Sequence, residues 1–352
     1  MTCGEVRTAI RANADSVEQA LAAKLAGADG IGLCRTESML LSPERLPLMH
    51  AILVAGTIGA RQVAIDRLSS LHQQDIEALF RSNSPLPVTI RLLDPPLGWF
   101  LPEQSQLDTD ISDARADENW EEYQQLDALR QMFASLRESN PSMGYRGCRL
   151  SLTQPALLEM QIKAILRAAL EVNREGGSVS PDIIVPLVAS EHETQVVARA
   201  IHNIASTICQ LTDRVSYRVG ALIELPRAAI CVEGIVQHVD FIAFGTNDLT
   251  QMTFGFSRED MQVYFARYLK EGIFLKDPFV SIDQEGVGHL IASAILAARD
   301  ARPDIEIGIC GDHGSDSDSV RYFRSLEVNY ISCPPAFVKA AQQAIDEDFC
   351  VL

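Results

Sequence analysis

Two acidic side chains occupy equivalent places in the segment Tyr217–Gln251, YRVGALIELPRAAICVEGIVQHVDFIAFGTNDLTQ. The apolar runs Val219–Ile223 and Phe241–Phe244 both stop abruptly, the first at Glu224, the second at Gly245, Thr246, Asn247 and Asp248. Between them, Pro226–Val236 reads as a helix. Apolar run, helix, apolar run is the signature of a βαβ unit in a parallel sheet. Adjacent strands lie about 4.8 Å apart, so acids at the carboxyl ends of neighbours can converge on one cation. Two carboxylates and a small oxyanion suit Mg2+, a hard ion that keeps water and substrate oxygens as ligands.

Further polar residues end other apolar runs: Asn13, Arg35, Arg91, His313 and Cys333. Arginine grips phosphate or carboxylate with a planar fork of donors. A rim thiol donates or accepts a proton at a pKa set by nearby charge. The set fits an enolate-type reaction: cations stabilise developing negative charge while the cysteine handles a carbon-bound proton.

Eight strand-like segments are needed to bring these residues to one mouth, and the chain supplies them. They are Val6–Asp15, Gly30–Leu33, Pro87–Leu93, Asp182–Ala189, Val219–Glu224, Phe241–Asp248, Glu306–Gly311 and Tyr330–Cys333. Helical patterns intervene over Ser16–Ala26, Pro43–Met49, Ala51–Leu71, Gln154–Val172, Glu191–Gln210, Gly286–Ala301, Ser317–Ser325 and Val338–Asp346. Strand and helix in alternation predict a (β/α)8 TIM barrel, with catalytic groups at the strand carboxyl ends. A dinucleotide-binding fold fits less well, because Gly27–Gly32 lacks the GxGxxG spacing. The whole chain, 1–352, is expected to be one domain. Residues 98–139 form an acidic insertion with eight carboxylates between Glu103 and Glu122 and a helix over Trp120–Leu136. Asn140–Leu150 is a Gly-rich turn carrying Arg146 and Arg149.

A net charge of −17 and a pI near 4.8 argue against a nucleic-acid partner. They also require local arginines to hold any anionic substrate. The apolar fraction is 47%, yet no run approaches the roughly 20 residues of a membrane span. The first residues lack the apolar core of a signal peptide. Eight scattered cysteines without a CxxC pair point to a reducing cytoplasmic setting and against zinc.

The motifs IRANAD, GADGIGLCRTESML, VTIRLLDPPLGWFLP, NPSMGYRGCRLSLTQPALLEMQ, VGALIELPRAA, FIAFGTNDLTQMTFGFSRED, IGICGDHG and YISCPP occur in this order. From about Arg11 to about Ala341 the chain resembles the C-terminal PEP/pyruvate-binding barrel of the pyruvate phosphate dikinase family. PEP synthase and enzyme I of the sugar phosphotransferase system have related barrels. The resemblance implies that Arg35 and Arg91 grip the phosphoryl group, with Arg146 or Arg149 adding charge. It implies that Glu224 and Asp248 bind Mg2+, that Gly245, Thr246 and Asn247 contact substrate, and that Cys333 moves the methyl proton of enolpyruvate. The phosphoryl group would pass between pyruvate enolate and a phosphohistidine on another domain or chain. None of the seven histidines here lies in the expected Thr-Ser-His context. A homodimer is also implied. Asp312 replaces a usual Glu, Tyr145 a usual His, and PPAFVKAAQQ after Cys333 lacks the usual Ser and arginines. An inert buried Cys333 therefore stands beside the catalytic one. Two other classes use the same residues: a free-standing lyase or mutase of 2-oxo acids, and a non-catalytic PEP or pyruvate sensor.

Overall fold

The computed structural model describes residues 7–54, 57–101, 103–136, 138–209 and 215–347. Val6 and Gln210, assigned above to element ends, and Cys3 and Cys350 lie outside them. Eight parallel strands close on themselves: β1 (Ala9–Asn13), β2 (Ile31–Arg35), β3 (Val88–Arg91), β4 (Asp182–Val185), β5 (Arg218–Ile223), β6 (Phe241–Gly245), β7 (Glu306–Cys310) and β8 (Tyr330–Cys333). This is the predicted (β/α)8 barrel.

Strand residues alternate between two cores, as a pleated strand requires. The inner core holds Leu33, Ile184, Leu222, Phe241, Cys310 and Tyr330. The outer core packs their neighbours, such as Ile183, Ile242, Ile309 and Ile331, against the helices. Two glycines make the inner core possible. A Cβ on Gly220 would lie 2.3 Å from the Phe241 ring, and one on Gly308 would lie 2.0 Å from the Tyr330 ring.

The floor of the barrel is polar and held by ion pairs. Asp182, Arg218 and Glu306, the first residues of three strands, meet Arg11 of β1. Arg218 forks Asp182 at 2.7 Å and bonds Glu306, and Arg11 reaches Glu306 at 3.0 Å. The Arg11 guanidinium also stacks 4.0 Å over Tyr330, a cation–π contact.

Several element boundaries differ from the expectation. Asp248 is not a strand end; it sits in the first turn of the helix Thr246–Phe254, because β6 stops at Gly245. The helix expected over Pro226–Val236 is broken into Pro226–Ile230, Val232–Ile235 and a 3-10 turn Val236–His238. The acidic insertion is a helical hairpin, with Gln104–Ala116 paired to Trp120–Leu136. Leu107, Ile111 and Phe133 bury a small core of their own there. The i, i+4, i+7 stripe Leu107–Ile111–Ala114 is sparse enough to be hidden by carboxylates. A helix over Arg258–Lys270, capped by Ser257, was also unexpected. No helix among the described residues is long and apolar enough to cross a membrane.

Candidate active site

The mouth of the barrel opens on a cleft of about 1260 Å3. Register places its chemistry. Arg35 and Arg91 end β2 and β3 opposite one another. Ile223 pairs with Phe244, so Glu224 follows β5 beside Gly245. A Cβ on Gly245 would stand 2.6 Å from Glu224 Cγ and 2.8 Å from its Oε1. Only glycine lets this carboxylate lie across the end of β6.

Asp248 enters from the next helical turn and Asp94 from the loop after β3. Oxygens of Asp94, Glu224 and Asp248 lie within 4.8 Å of one another. Glu224 Oε2 accepts the Leu187 N–H at 2.8 Å. Leu187 holds a left-handed φ of 57° to present it, an uncommon conformation for a branched residue. Gly147 lies against the same corner; a Cβ there would be 2.8 Å from Leu187 Cβ and 2.9 Å from Asp94 Oδ1.

The buried Arg146 and the largely covered Arg91 thread these acids. Arg91 donates to Glu37 Oε1 at 3.0 Å, with Nη1 3.1 Å from Asp94 and 4.0 Å from Glu224. Arg146 donates to Asp94 through Nε at 3.2 Å and Nη2 at 2.6 Å, and to Asp248 at 3.1 and 3.2 Å. Burial works against the charge on both arginines, but the surrounding carboxylates outweigh it and hold both guanidinium pKa values above the usual range. Burial likewise opposes ionisation of Asp94, yet Arg91 and Arg146 keep its pKa low. Glu224 goes the other way: burial, then Asp94 and Asp248, push its pKa well above the carboxylate range. Three carboxylates with hard oxygen donors fit a divalent cation such as Mg2+.

A family model for the PEP-binding domain of PEP-utilising enzymes matches residues 1–348. The chain belongs to that family. It is 44% identical over 337 residues to pyruvate, phosphate dikinase 2 of Oryza sativa subsp. japonica, covering 95% of this chain and 37% of the rice protein. It is 42% identical over 339 residues to the chloroplastic pyruvate, phosphate dikinase 1 of Arabidopsis thaliana, covering 96% and 35%. The chain therefore spans about a third of the length of these relatives. A crystal structure of a HpcH/Hpal aldolase/citrate lyase family protein from Burkholderia cenocepacia aligns at 12% identity with a TM-score of 0.46, over 97% of this chain and 95% of the other.

Within this PEP-binding barrel, Arg35, Arg91, Arg146, Asn247 and Asp248 line one cleft, together with Asp94 and Trp99. Glu224 joins them through the acidic cluster. Arg35 stands on the rim, half exposed, its Nε and Nη2 held by Asp15 at 2.9 and 2.7 Å. Asn247, on the cleft lining, accepts the Asp312 N–H through Oδ1 at 2.9 Å. Of the two loop arginines, Arg146 reaches the acids, whereas Arg149 donates to the carbonyls of Met143 and Gly144.

Thr246 and Cys333 are set apart. Thr246 is buried, 3.2 Å from the Cys310 carbonyl and 2.7 Å from His313 Nδ1. His313 Nε2 lies 2.7 Å from the Pro278 carbonyl, so the ring is a structural brace. Cys333 is not among the residues lining the cleft. Tyr330 of β8 points into the barrel, and the three-residue offset turns Cys333 to the outer layer with Ile331. Burial pushes its thiol up to about 12.

Asp94, Glu37 and Asp15 were missed as site residues. Asp94 follows Arg91 by three residues at a strand end, the same position that marked Glu224, but DPP reads as a stop. Glu37 lies inside CRTE, two residues after Arg35.

Proposed function

We propose that the chain is a single barrel domain, with its insertion at 98–139, that binds phosphoenolpyruvate and pyruvate for a dikinase-type phosphotransferase. Its half-reaction moves a phosphoryl group between a histidine on another domain or chain and the enolate oxygen of pyruvate. The observation that carries this reading is the convergence of Asp94, Glu224 and Asp248 with Arg91 and Arg146 at the mouth of a barrel of the PEP-binding family. Arg91 and Arg35, paired in register at the ends of β3 and β2, would neutralise the equatorial oxygens of the group in transfer. The Asn247 amide donates to a substrate oxygen. Glu224 and Asp248 would hold Mg2+, which supplies positive charge beside the enolate oxygen and the carboxylate. The resemblance assigns the methyl proton to Cys333, but this thiol faces the outer layer with Ile331, and the exchange experiment below decides its role. A reducing cytoplasmic compartment suits the free cysteines, and a homodimer is the assembly we expect.

Calorimetry with oxalate, a planar enolate mimic, tests the reading. Mg2+-dependent binding that disappears in Glu224→Gln supports it; binding indifferent to either change refutes it. A second reading, a sensor of the same ligands without turnover, is favoured by the outward setting of Cys333. Exchange of pyruvate methyl protons into deuterated water, lost in Cys333→Ala, supports the enzyme. Ligand binding with no exchange in the chain supplied with Mg2+ supports the sensor.

A further inference from the structure

Arg146 holds the place where a metal ligand is needed. Its fork pairs Nη1 with Asp248 Oδ1 at 3.1 Å and Nη2 with Oδ2 at 3.2 Å, so both oxygens of that carboxylate face a guanidinium. The same side chain is anchored at its base, where Nε lies 3.2 Å from Asp94 Oδ1 and 3.3 Å from the Asp94 carbonyl. It is carried on the loop between the insertion and the helix Cys148–Thr153, whose residues Asn140–Met143 line the mouth of the cleft. Nη2 also donates to Asp94 Oδ2 at 2.6 Å and Nη1 to the Ser142 carbonyl at 3.3 Å, so Arg146 stays held and paired by Asp94 when Asp248 is given up. Bidentate guanidinium–carboxylate pairs are strong and directional, and an incoming anion offers the fork an equivalent partner.

From this geometry we infer that Arg146 is an exchangeable internal cation: its outer face pairs with Asp248 and is given over to the substrate anion as Asp248 passes to the divalent ion, so that anion and ion load together. The inference rests on the proposed Mg2+ site at Glu224 and Asp248. It makes the affinity for one ligand depend on the other, a coupling that is reciprocal by thermodynamic necessity. A lone divalent ion is resisted because Asp248 is already neutralised by Arg146. An anion alone meets a fork that must abandon a partly buried carboxylate. Together, the ion takes the carboxylate and the anion takes the fork. Charge is conserved at each position, and no buried group is left unpaired.

Mn2+ binding, read by electron paramagnetic resonance with and without oxalate, tests this on the chain and its Arg146→Gln and Arg146→Lys variants. In the unaltered chain Mn2+ binds weakly alone and about tenfold more tightly with oxalate. Arg146→Gln is expected to bind Mn2+ alone about tenfold more tightly than the unaltered chain, and to lose most of the gain from oxalate. Arg146→Lys keeps the charge but cannot span both oxygens, so it too should bind lone Mn2+ more tightly; it decides the matter if the Gln variant does not fold. Mn2+ affinity without oxalate that is equal or weaker in the folded variants overturns the inference. If Mn2+ fails to bind the unaltered chain even with oxalate, or binds equally in Glu224→Gln, the underlying site assignment fails instead.

Discussion

Gly245 packs directly against Glu224, and this contact makes a quantitative prediction. Gly245 has φ −87° and ψ 89°, which alanine can adopt, so Gly245→Ala meets no backbone penalty. In an open location the change would stabilise the chain by about 0.4–1 kcal/mol, by restricting the unfolded state. Here the new methyl would stand 2.6 Å from Glu224 Cγ and 3.1 Å from Cδ. Carbon pairs prefer about 3.5–4.0 Å, so roughly 1 Å of overlap must be relieved. Glu224 is tied to the Leu187 N–H and cannot retreat freely. Overpacking of this kind costs about 1–3 kcal/mol. In the Glu224→Ala background the obstructing atoms are gone, and the same substitution should be neutral or slightly stabilising. The coupling between the two changes is thus about 2 kcal/mol, or about 30-fold in the folding equilibrium. Urea denaturation of the four proteins, with m held common, measures it. An equal cost of Gly245→Ala in both backgrounds would refute the steric account. Gly245→Ala should also weaken Mn2+ binding about 10- to 100-fold, since it misplaces a ligand.

Three further outcomes follow from buried groups. His72 is fully buried and burial depresses its pKa to about 4, against about 6.5 unfolded. Its contribution to stability is complete above pH 6.5 and erodes by about 1.4 kcal/mol per unit as pH falls toward 4, about 3 kcal/mol in all. His72→Gln should flatten that part of the stability–pH curve; parallel curves would count against it. Asp94→Ala removes the carboxylate that Arg91 and Arg146 share and should cost about 3 kcal/mol; a midpoint within error of the unaltered chain contradicts the pairing described. Cys333, held near 12 by burial, should resist iodoacetamide at pH 8 while exposed Cys231 reacts. Peptide mapping showing the reverse order would disprove the outer-layer placement.

Much of the barrel was legible because each strand is a short apolar run cut off by polar residues. The helices Trp120–Leu136 and Ser317–Ser325 match their expected bounds, since polar and capping residues flank both. The pair Glu224 and Asp248 was legible for the same reason: two successive runs end in acids. What could not be read was which way side chains turn. Arg146 and Arg149 share one Gly-rich loop, and only the fold decides that one reaches Asp248 while the other braces carbonyls. The segment YISC is apolar or small throughout, so the sequence carries no alternation from which to assign Cys333 to a face. Asp94 was hidden by the prolines after it, which signal a turn more strongly than a strand-end acid signals a site.

The paired charges at the foot of the barrel have a consequence for traffic. With Arg11, Asp182, Arg218 and Glu306 interlocked beneath the Phe241 and Tyr330 rings, the lower end is sealed by side chains. On the proposed function, small molecules and a histidine carrier would then use the same upper mouth. A carrier seated there would cork it, so a three-carbon product would depart only after its escort had stepped aside.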